Sequence, residues 1–110
     1  DFGDRDGTLR QAILQHVQGV AIGEDGLIYI ADTYNQKIKA LDAARQTVRT
    51  VAGTGQRGSA DGPTATASFD EPAGLAVLDG QIYVADTNNH AIRVIHLKED
   101  TVSTLTIRGA

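Results

Sequence analysis

The chain has 110 residues, 41% hydrophobic and 22% charged, which is the composition of a single globular domain. It contains no cysteine, which excludes disulfides, thiolate metal ligands and a cysteine nucleophile. A formal net charge of -4 disfavours a surface built for nucleic-acid phosphates, and no apolar run approaches the roughly 18 to 20 residues that span a bilayer. We therefore expect neither a nucleic-acid partner nor a membrane partner.

The sequence consists of two copies of one unit. The phrase YIADTYNQKI in the first half returns as YVADTNNHAI in the second, with matching glycines, Asp-Gly pairs and Thr-Val pairs around it. The matches divide the chain into unit 1, residues 1–55, and unit 2, residues 56–110. Self-similarity of this kind predicts a repeat architecture, in which each unit covers apolar surface of its neighbour.

Each unit predicts four short strands in the same order. An apolar run comes first, as expected for a strand buried on both faces, and a strand rich in β-branched and aromatic residues follows an Asp-Gly turn. The third strand alternates, with Lys37 and Lys39 on a wetter face, and the alternating fourth strand lies outermost, with Arg49 and Ser103 towards solvent. A short helical turn at most is expected at 9–17. The predicted strands are residues 19–23, 27–32, 37–42 and 47–52 in unit 1 and residues 73–78, 81–86, 91–97 and 101–107 in unit 2.

Four turn residues recur at matching positions in the two units. Asp32 and Asp86 stand where the second strand ends, and a short carboxylate there can accept hydrogen bonds from backbone N–H groups of the turn. Asn35 and Asn89 stand where a positive φ is often required, which asparagine tolerates better than most residues. We interpret all four as structural turn residues, and we assign no catalytic, cofactor-binding or metal-binding residue.

The stretch GLAVLDGQIYVADTNNHAIRVI closely resembles the NHL repeat, a blade unit of β-propellers. The shared pattern is a glycine and apolar opening, a turn, (I/V)YVAD, T.N and an apolar strand, and both units match it. The segment GTGQRGSADGPTATASFDEPAG further resembles the insertion between blades of NHL propellers attached to thioredoxin-like domains. The resemblance implies an all-β fold with one four-stranded blade in each unit. The chain has no Cys-x-x-Cys, so thioredoxin chemistry is not carried over.

Two blades on their own leave two outward faces uncovered. Each face would show a row of Ile, Val, Leu and Tyr, and covering it is worth on the order of 10 kcal/mol before entropy is subtracted. Propellers usually have four to eight blades, and those that this chain resembles commonly have six. We therefore expect three chains to close a six-bladed ring as a cyclic homotrimer. A dimer, a tetramer or a longer propeller that contains both blades remains an alternative.

Two short motifs resemble known ligand-binding motifs, but the residues around them disfavour ligand binding. GTGQRG at 53–58 matches the G-x-G-x-x-G dinucleotide fingerprint, which needs a helix to begin at once, and Gly62-Pro63 disfavours that helix. DRDG at 4–7 resembles part of a calcium loop, but Phe2 and Ile13 then fall where oxygen ligands are required. A loop and a turn are the expected structures, and no cofactor is expected.

The histidines give no clear metal set. His16, His90 and His96 occupy unrelated positions in the repeat, so we interpret them as solvent-exposed rather than as zinc ligands. The resemblance therefore favours a non-catalytic propeller fragment or scaffold that self-assembles and presents loops to protein or peptide partners. The alternatives are a propeller enzyme of lyase or lactonase type with an axial metal and, less favoured, an RNA-binding propeller. The last is disfavoured because the basic residues are scattered among 14 acidic ones.

Overall fold

The computed structural model describes residues 6–8 and 17–105. Strands of the first half are β1 (Gly7–Thr8), β2 (Val17–Ile22), β3 (Ile28–Asp32), β4 (Lys37–Asp42) and β5 (Thr47–Ala52). Strands of the second half are β6 (Gly62–Pro63), β7 (Pro72–Leu78), β8 (Gln81–Asp86), β9 (Ala91–His96) and β10 (Thr101–Leu105). Two short 3-10 turns, Thr33–Asn35 and Thr87–Asn89, connect β3 to β4 and β8 to β9.

These strands form two antiparallel five-stranded sheets of the same topology. The N-terminal sheet has the order β1-β5-β4-β3-β2, and the C-terminal sheet has the order β6-β10-β9-β8-β7. Within each sheet, consecutive long strands pair with each other, as expected for antiparallel strands joined by tight turns. The prediction of an all-β fold is confirmed, and closure of a six-bladed ring stays a prediction.

Each predicted strand overlaps an observed strand, with small differences at the ends. The opening strands begin earlier than predicted, at Val17 and Pro72, and the third strand of the second half ends at His96. The last strand runs to Leu105, the end of the described region. The helical turn expected at 9–17 lies outside the described residues except for Val17, which belongs to β2.

The prediction that the fourth strand lies outermost is wrong. The two-residue strand β1 pairs with β5, and β6 pairs with β10 in the same way. Both added strands follow an aspartate, Asp6 or Asp61, that hydrogen-bonds a threonine of the neighbouring strand, Thr50 or Thr104. The carboxylate therefore helps to attach the added strand to the sheet edge. A strand of two residues is too short to show alternating apolar and polar residues, so the sequence did not predict it.

The registers give each sheet two distinct faces, because residues directly opposite each other on paired strands project to the same side. One side, which we call the tyrosine face, carries Tyr29, Ala31 and Ile38 in the N-terminal sheet. The other side, the ion-pair face, carries Asp32 and Lys39 together with further apolar residues. The C-terminal sheet repeats both faces, with Tyr83, Ala85 and Ile92 on one side and Leu75, Val77, Ile82, Val84, Asp86 and Arg93 on the other.

The core lies where the tyrosine face of the N-terminal sheet packs on the ion-pair face of the C-terminal sheet. Tyr29, Ala31 and Ile38 from the first sheet join Ile82 and Val84 from the second in one buried cluster. The contact runs along β2, β3 and β7, of which β2 and β7 are the edge strands opposite β1 and β6. Repeat units that cannot bury an apolar face alone acquire a core in this way by stacking.

The prediction that the opening strand of each unit is buried on both faces is wrong for the single chain. In β2, Val20 is 60% exposed and Ile22 is 75% exposed. In β7, the alternate residues Ala76 and Leu78 are exposed. Each sheet has a neighbour on one side only, so the apolar run of each opening strand is covered on that side and open on the other.

Candidate functional site

A buried ion-pair cluster lies on the ion-pair face of the N-terminal sheet. The Lys39 side chain is fully buried, and its Nζ lies 2.9 Å from Asp6 and 3.6 Å from Asp32. Asp6 also accepts hydrogen bonds from the backbone N–H and the hydroxyl of Thr50, at 2.8 and 2.7 Å. Partial burial raises the pKa of Asp6, but the hydrogen bonds from Lys39 and Thr50 outweigh it and hold that pKa below its ordinary value.

The C-terminal sheet repeats this cluster with arginine in place of lysine. Arg93 is 1% exposed and donates to Asp61 at 2.7 Å and to Asp86 at 2.8 Å. Its guanidinium also donates to the backbone carbonyls of Ser68 and Ala60, at 2.7 and 2.8 Å. The five donors of a guanidinium suit such a site, because several acceptors from different segments can be satisfied at once.

Phe69 completes the arginine site. The ring centroid lies 5.0 Å from Arg93 Cζ, within the range of a cation–π contact, and the ring is fully buried. The connection that carries Asp61, Ser68 and Phe69 is thus held against the sheet by one side chain from β9. This arrangement is structural: Arg93 and Asp86 neutralise each other inside the protein, and Asp61, whose side chain is 46% exposed, pairs with Arg93 from the surface.

The expectation that Lys39 lies on a wetter face is wrong. Lysine alternating with apolar residues normally indicates a solvated face, but here Asp6 lies against the buried Lys39 and supplies a carboxylate. The signal that could have revealed the cluster is its repetition. Lys39 matches Arg93, Asp32 matches Asp86, and Asp6 matches Asp61 between the two units.

Each predicted turn residue lies at the junction between the second and third long strands of its sheet. Asn35 donates from its side chain to Asp32 at 3.0 Å, and Asn89 donates to Asp86 at 2.7 Å. Neither aspartate caps its 3-10 turn through the side chain, contrary to the expected bonds from the turn backbone. Asp86 instead accepts the backbone N–H of Asp70 from the preceding connection, at 2.8 Å.

The expected positive φ falls one residue later than predicted. Gln36 and His90 adopt the left-handed conformation, with φ values of 60° and 51°, whereas Asn35 and Asn89 close the 3-10 turns before them. The asparagines are needed for their side-chain amides rather than for their backbone. Asn89 uses its amide twice, since it also donates to the carbonyl of Gly58 at 2.7 Å.

The glycine-rich motif and the calcium-like motif both have structural roles. Residues 53–58 form a loop after β5, and no helix begins there. Gly53 and Gly55 have φ values of 108° and 95°, which explains the need for glycine. In the second motif, Asp6 is engaged by Lys39 and Thr50 and Gly7 begins β1, while Asp4 and Arg5 lie outside the described region.

The two histidines in the described region lie apart in the fold. His90 is exposed at the end of a 3-10 turn. His96 is partly buried and bonds Gln81 at 2.9 Å and Ser103 at 2.8 Å through its two ring nitrogens, so the expectation that it is solvent-exposed is wrong in part. Ser103 is likewise partly buried rather than solvent-facing. Within residues 6–8 and 17–105, no group of three His, Cys, Asp or Glu side chains could hold a metal ion.

The outward faces of the two sheets are the chain's most distinctive surfaces. The tyrosine face is covered in the N-terminal sheet, where Tyr29 is 1% exposed and Ile38 is 0% exposed. In the C-terminal sheet the same face is open, and Tyr83, Ala85 and Ile92 are all partly exposed. The tyrosine face that is covered in the N-terminal sheet is thus partly exposed in the C-terminal sheet. On the ion-pair face of the N-terminal sheet, Val20 and Ile22 are exposed along β2, while Asp32 and Lys39 are buried.

Burial under the adjoining sheet also changes the pKa of the tyrosine. Burial, followed by the hydrogen bond of 2.8 Å that its hydroxyl donates to Asp25, raises the pKa of Tyr29 to about 12. The corresponding hydroxyl of Tyr83 donates to the neutral Gln81 at 2.9 Å. The two repeats therefore differ in polar partners at a shared position, while the tyrosine itself is retained.

No helix in the described ranges has the length and apolar character needed to cross a bilayer. Two face-packed antiparallel sheets, each built from the same sequence unit and each tied by the same ion-pair cluster, define an all-β repeat protein. The NHL repeat model matches residues 14–41 and 69–95, one match in each half of the chain. The chain therefore belongs to the NHL repeat family.

Relatives with the same repeat are much longer than this chain. The chain is 46% identical over 112 residues to Protein SUPPRESSOR OF QUENCHING 1, chloroplastic, from Arabidopsis thaliana, covering 98% of this chain and 11% of that protein. It is 47% identical over 106 residues to NHL repeat-containing protein 2 from Bos taurus, covering 93% of this chain and 15% of that protein. The match thus covers only a small part of each relative.

Solved structures share the fold. A Bacteroides thetaiotaomicron protein of unknown function superposes with a TM-score of 0.77 at 25% identity, over 96% of this chain and 25% of that one. An auxiliary nutrient binding protein from the same organism superposes with a TM-score of 0.73 at 22% identity, over 94% of this chain and 26% of that one. The second likeness concerns the fold alone.

Proposed function

We propose that this chain is a non-catalytic pair of NHL propeller blades, which assembles through its open sheet faces and presents its loops to protein partners. The observation that carries the proposal is the contrast between the two tyrosine faces. Tyr29 and Ile38 are buried under the C-terminal sheet, while Tyr83 and Ile92 on the equivalent face are partly exposed. A face that the fold buries in one repeat is thus available to a further sheet in the other.

The exposed residues favour cover by more protein. Val20, Ile22 and Leu78 are each more than half exposed, and they lie on the edge strands β2 and β7. Clusters of large apolar residues on a soluble surface mark interaction sites more often than single exposed residues do. At about 25 cal/mol per Å2 of apolar surface removed from water, a further sheet on each flank would add substantially to stability.

Ring closure follows from the same stacking. A sheet added to each flank presents a new open face, so the series ends only when it closes on itself. Three copies of a two-blade chain would close a ring of six blades, within the usual range for propellers. Such a ring leaves no open flank.

The contacts of the buried charged groups support the non-catalytic part of the proposal. Lys39 and Arg93 neutralise the buried carboxylates Asp32 and Asp86, so these groups stabilise the fold and do not line an opening. Two basic residues are thereby also withdrawn from the surface that an RNA would contact. The loops at the ends of the strands, such as the one with the exposed Tyr34, remain available to a protein or peptide.

Multi-angle light scattering of the purified chain tests the assembly directly. We expect a mass three times that of the chain, and a monomer at all accessible concentrations would contradict the proposal. Ile22→Lys should shift the mass towards that of the monomer, because it places a charge on an open face. Ala43→Lys, in the exposed turn between β4 and β5, is the matched control and should leave the mass unchanged.

A further inference from the structure

We propose that copies of this chain dock head to tail, with the ion-pair face of one N-terminal sheet on the tyrosine face of the next copy's C-terminal sheet. The inference rests on the proposed function and names the partner, the faces and the contact residues. Its basis is the interface inside the chain, where these two kinds of face already meet. Because each unmatched face repeats one member of that interface, a second copy offers the complementary surface on the opposite flank.

The first specific observation concerns two equivalent glycines. Gly19 lies on the covered tyrosine face, where an added Cβ would overlap the backbone carbonyl of Ala73 in the adjoining sheet. Gly74 is the repeat equivalent of Gly19 on the open face, and an added Cβ there would meet only the Ala85 methyl group, at 3.8 Å. No described residue therefore requires glycine at 74, whereas close approach of another β-strand would require it.

The second observation concerns two equivalent threonines. Thr33 is buried and its hydroxyl donates to the carbonyl of Pro72 across the interface, at 2.7 Å. Thr87 is the repeat equivalent of Thr33 and is exposed. The residue that corresponds to Pro72 in the other repeat is Val17, at the start of β2 and 39% exposed. Head-to-tail docking places the Thr87 hydroxyl of one copy against the Val17 carbonyl of the next.

The same superposition pairs the remaining apolar residues. Val20 and Ile22 take the positions of Leu75 and Val77, which pack against the core inside the chain. The docked Val20 and Ile22 would lie over the tyrosine face that includes Tyr83 of the next copy. This contact joins two different faces, so it is heterologous and generates a ring if the rotation closes. A dimer joined by a single isologous contact would instead place like faces together.

Cysteine cross-linking tests the docking mode, and the absence of native cysteine makes every cross-link assignable. One preparation carries Thr87→Cys and a second carries Val17→Cys, and each is treated with a short bifunctional maleimide alone and after mixing. We expect a cross-linked dimer only in the mixture. A dimer from Thr87→Cys alone would indicate like-face pairing and would overturn the inference. Thr66→Cys, in an exposed loop, mixed with Val17→Cys measures random collision.

Gly74→Ala provides an independent test without a cross-linker. We expect it to weaken self-association by about tenfold or more, because its methyl group would meet the docked strand, while monomer stability changes little. If the wild-type chain is a monomer by light scattering, the proposed function itself fails. If the wild type assembles, but Gly74→Ala assembles equally and the mixture gives no cross-link, only the docking mode is wrong.

Discussion

Arg93 and Asp86 form an ion pair of 2.8 Å in which both side chains are buried, and Lys39 and Asp32 occupy the same positions in the other sheet. The pair connects two neighbouring long strands of one sheet and, through the further acceptors of Arg93, fixes the preceding connection. Burying charge is costly unless each group is paired and hydrogen-bonded. Both cations are paired with carboxylates, and of the buried guanidinium nitrogens only Arg93 Nε has no acceptor. The repeated cluster therefore stabilises each repeat through polar contacts.

Removal of one partner should be strongly destabilising. Arg93→Met leaves Asp86 buried without its cation, and we expect a loss of about 3–5 kcal/mol in the free energy of unfolding. Urea denaturation followed by circular dichroism measures it. Arg45→Met is the matched control, because the Arg45–Asp42 pair is exposed on the arginine side and should contribute about 0–1 kcal/mol. Equal losses in the two variants would show that the buried cluster contributes no more to the free energy of unfolding than an exposed ion pair does.

Acid should weaken the corresponding connection in the N-terminal sheet. The pKa of Asp6 is lowered in the folded state, so its contribution is fully present above the ordinary carboxyl value of 3.8 and is lost as pH falls through the folded value. Asp6→Asn should therefore reduce stability at pH 7 and matter progressively less below pH 3.8. Because Asp6 is partly exposed, the effect at pH 7 should be on the order of 1 kcal/mol. An unfolding series over pH measures it, and a difference that does not shrink in acid would contradict the assignment.

Alkali should act on Tyr29. Its folded pKa of about 12 lies above the ordinary value of 10.0, so the stability that comes from burying the neutral phenol is present below pH 10 and is lost as pH rises towards 12. Relative to Tyr29→Phe, the wild type should lose about 2 kcal/mol across that interval. Unfolding measured at several alkaline pH values gives this difference. Ultraviolet titration should also lose a phenol ionisation near pH 12 in Tyr29→Phe, and its full retention would contradict the assignment to Tyr29.

The close approach at Gly19 gives a test of the interface inside the chain. Gly19→Ala puts a methyl group against the carbonyl of Ala73, and we expect a loss of about 1–3 kcal/mol or a separation of the two sheets. Gly74→Ala, compared at concentrations at which the chain is monomeric, is the matched control and should change monomer stability little. Thermal unfolding of both variants measures the difference, and equal effects would show that the sheets do not meet as described.

Much of the fold could be predicted because alternation in a strand is visible in the residues themselves. The runs around Tyr29 and Tyr83 predict strands, and the repeated Asp and Asn mark where those strands reverse. The burial of Lys39 could not be predicted from its own strand, because its cover comes from Asp6, far away in sequence. Only a residue-by-residue comparison of the two repeats contains that signal.

Which sheet faces are open could be determined only from the structure, for a different reason. Sequence indicates that β2 and β7 are apolar on both sides but does not say which side an adjoining sheet covers. The exposed fractions of Val20 and Ile22, set against the buried Tyr29, settle that question for the two sheets of one chain. They also explain why equivalent residues in the two repeats have such different surroundings.

The central claim is that the folded chain gains stability by covering its flanks with further copies. The concentration dependence of the thermal unfolding midpoint tests this most directly, because association of folded chains stabilises them by mass action. We expect the midpoint to rise steadily as the chain concentration is increased over two to three decades, and Gly74→Ala to flatten that rise. A midpoint independent of concentration in the wild-type chain would contradict the claim.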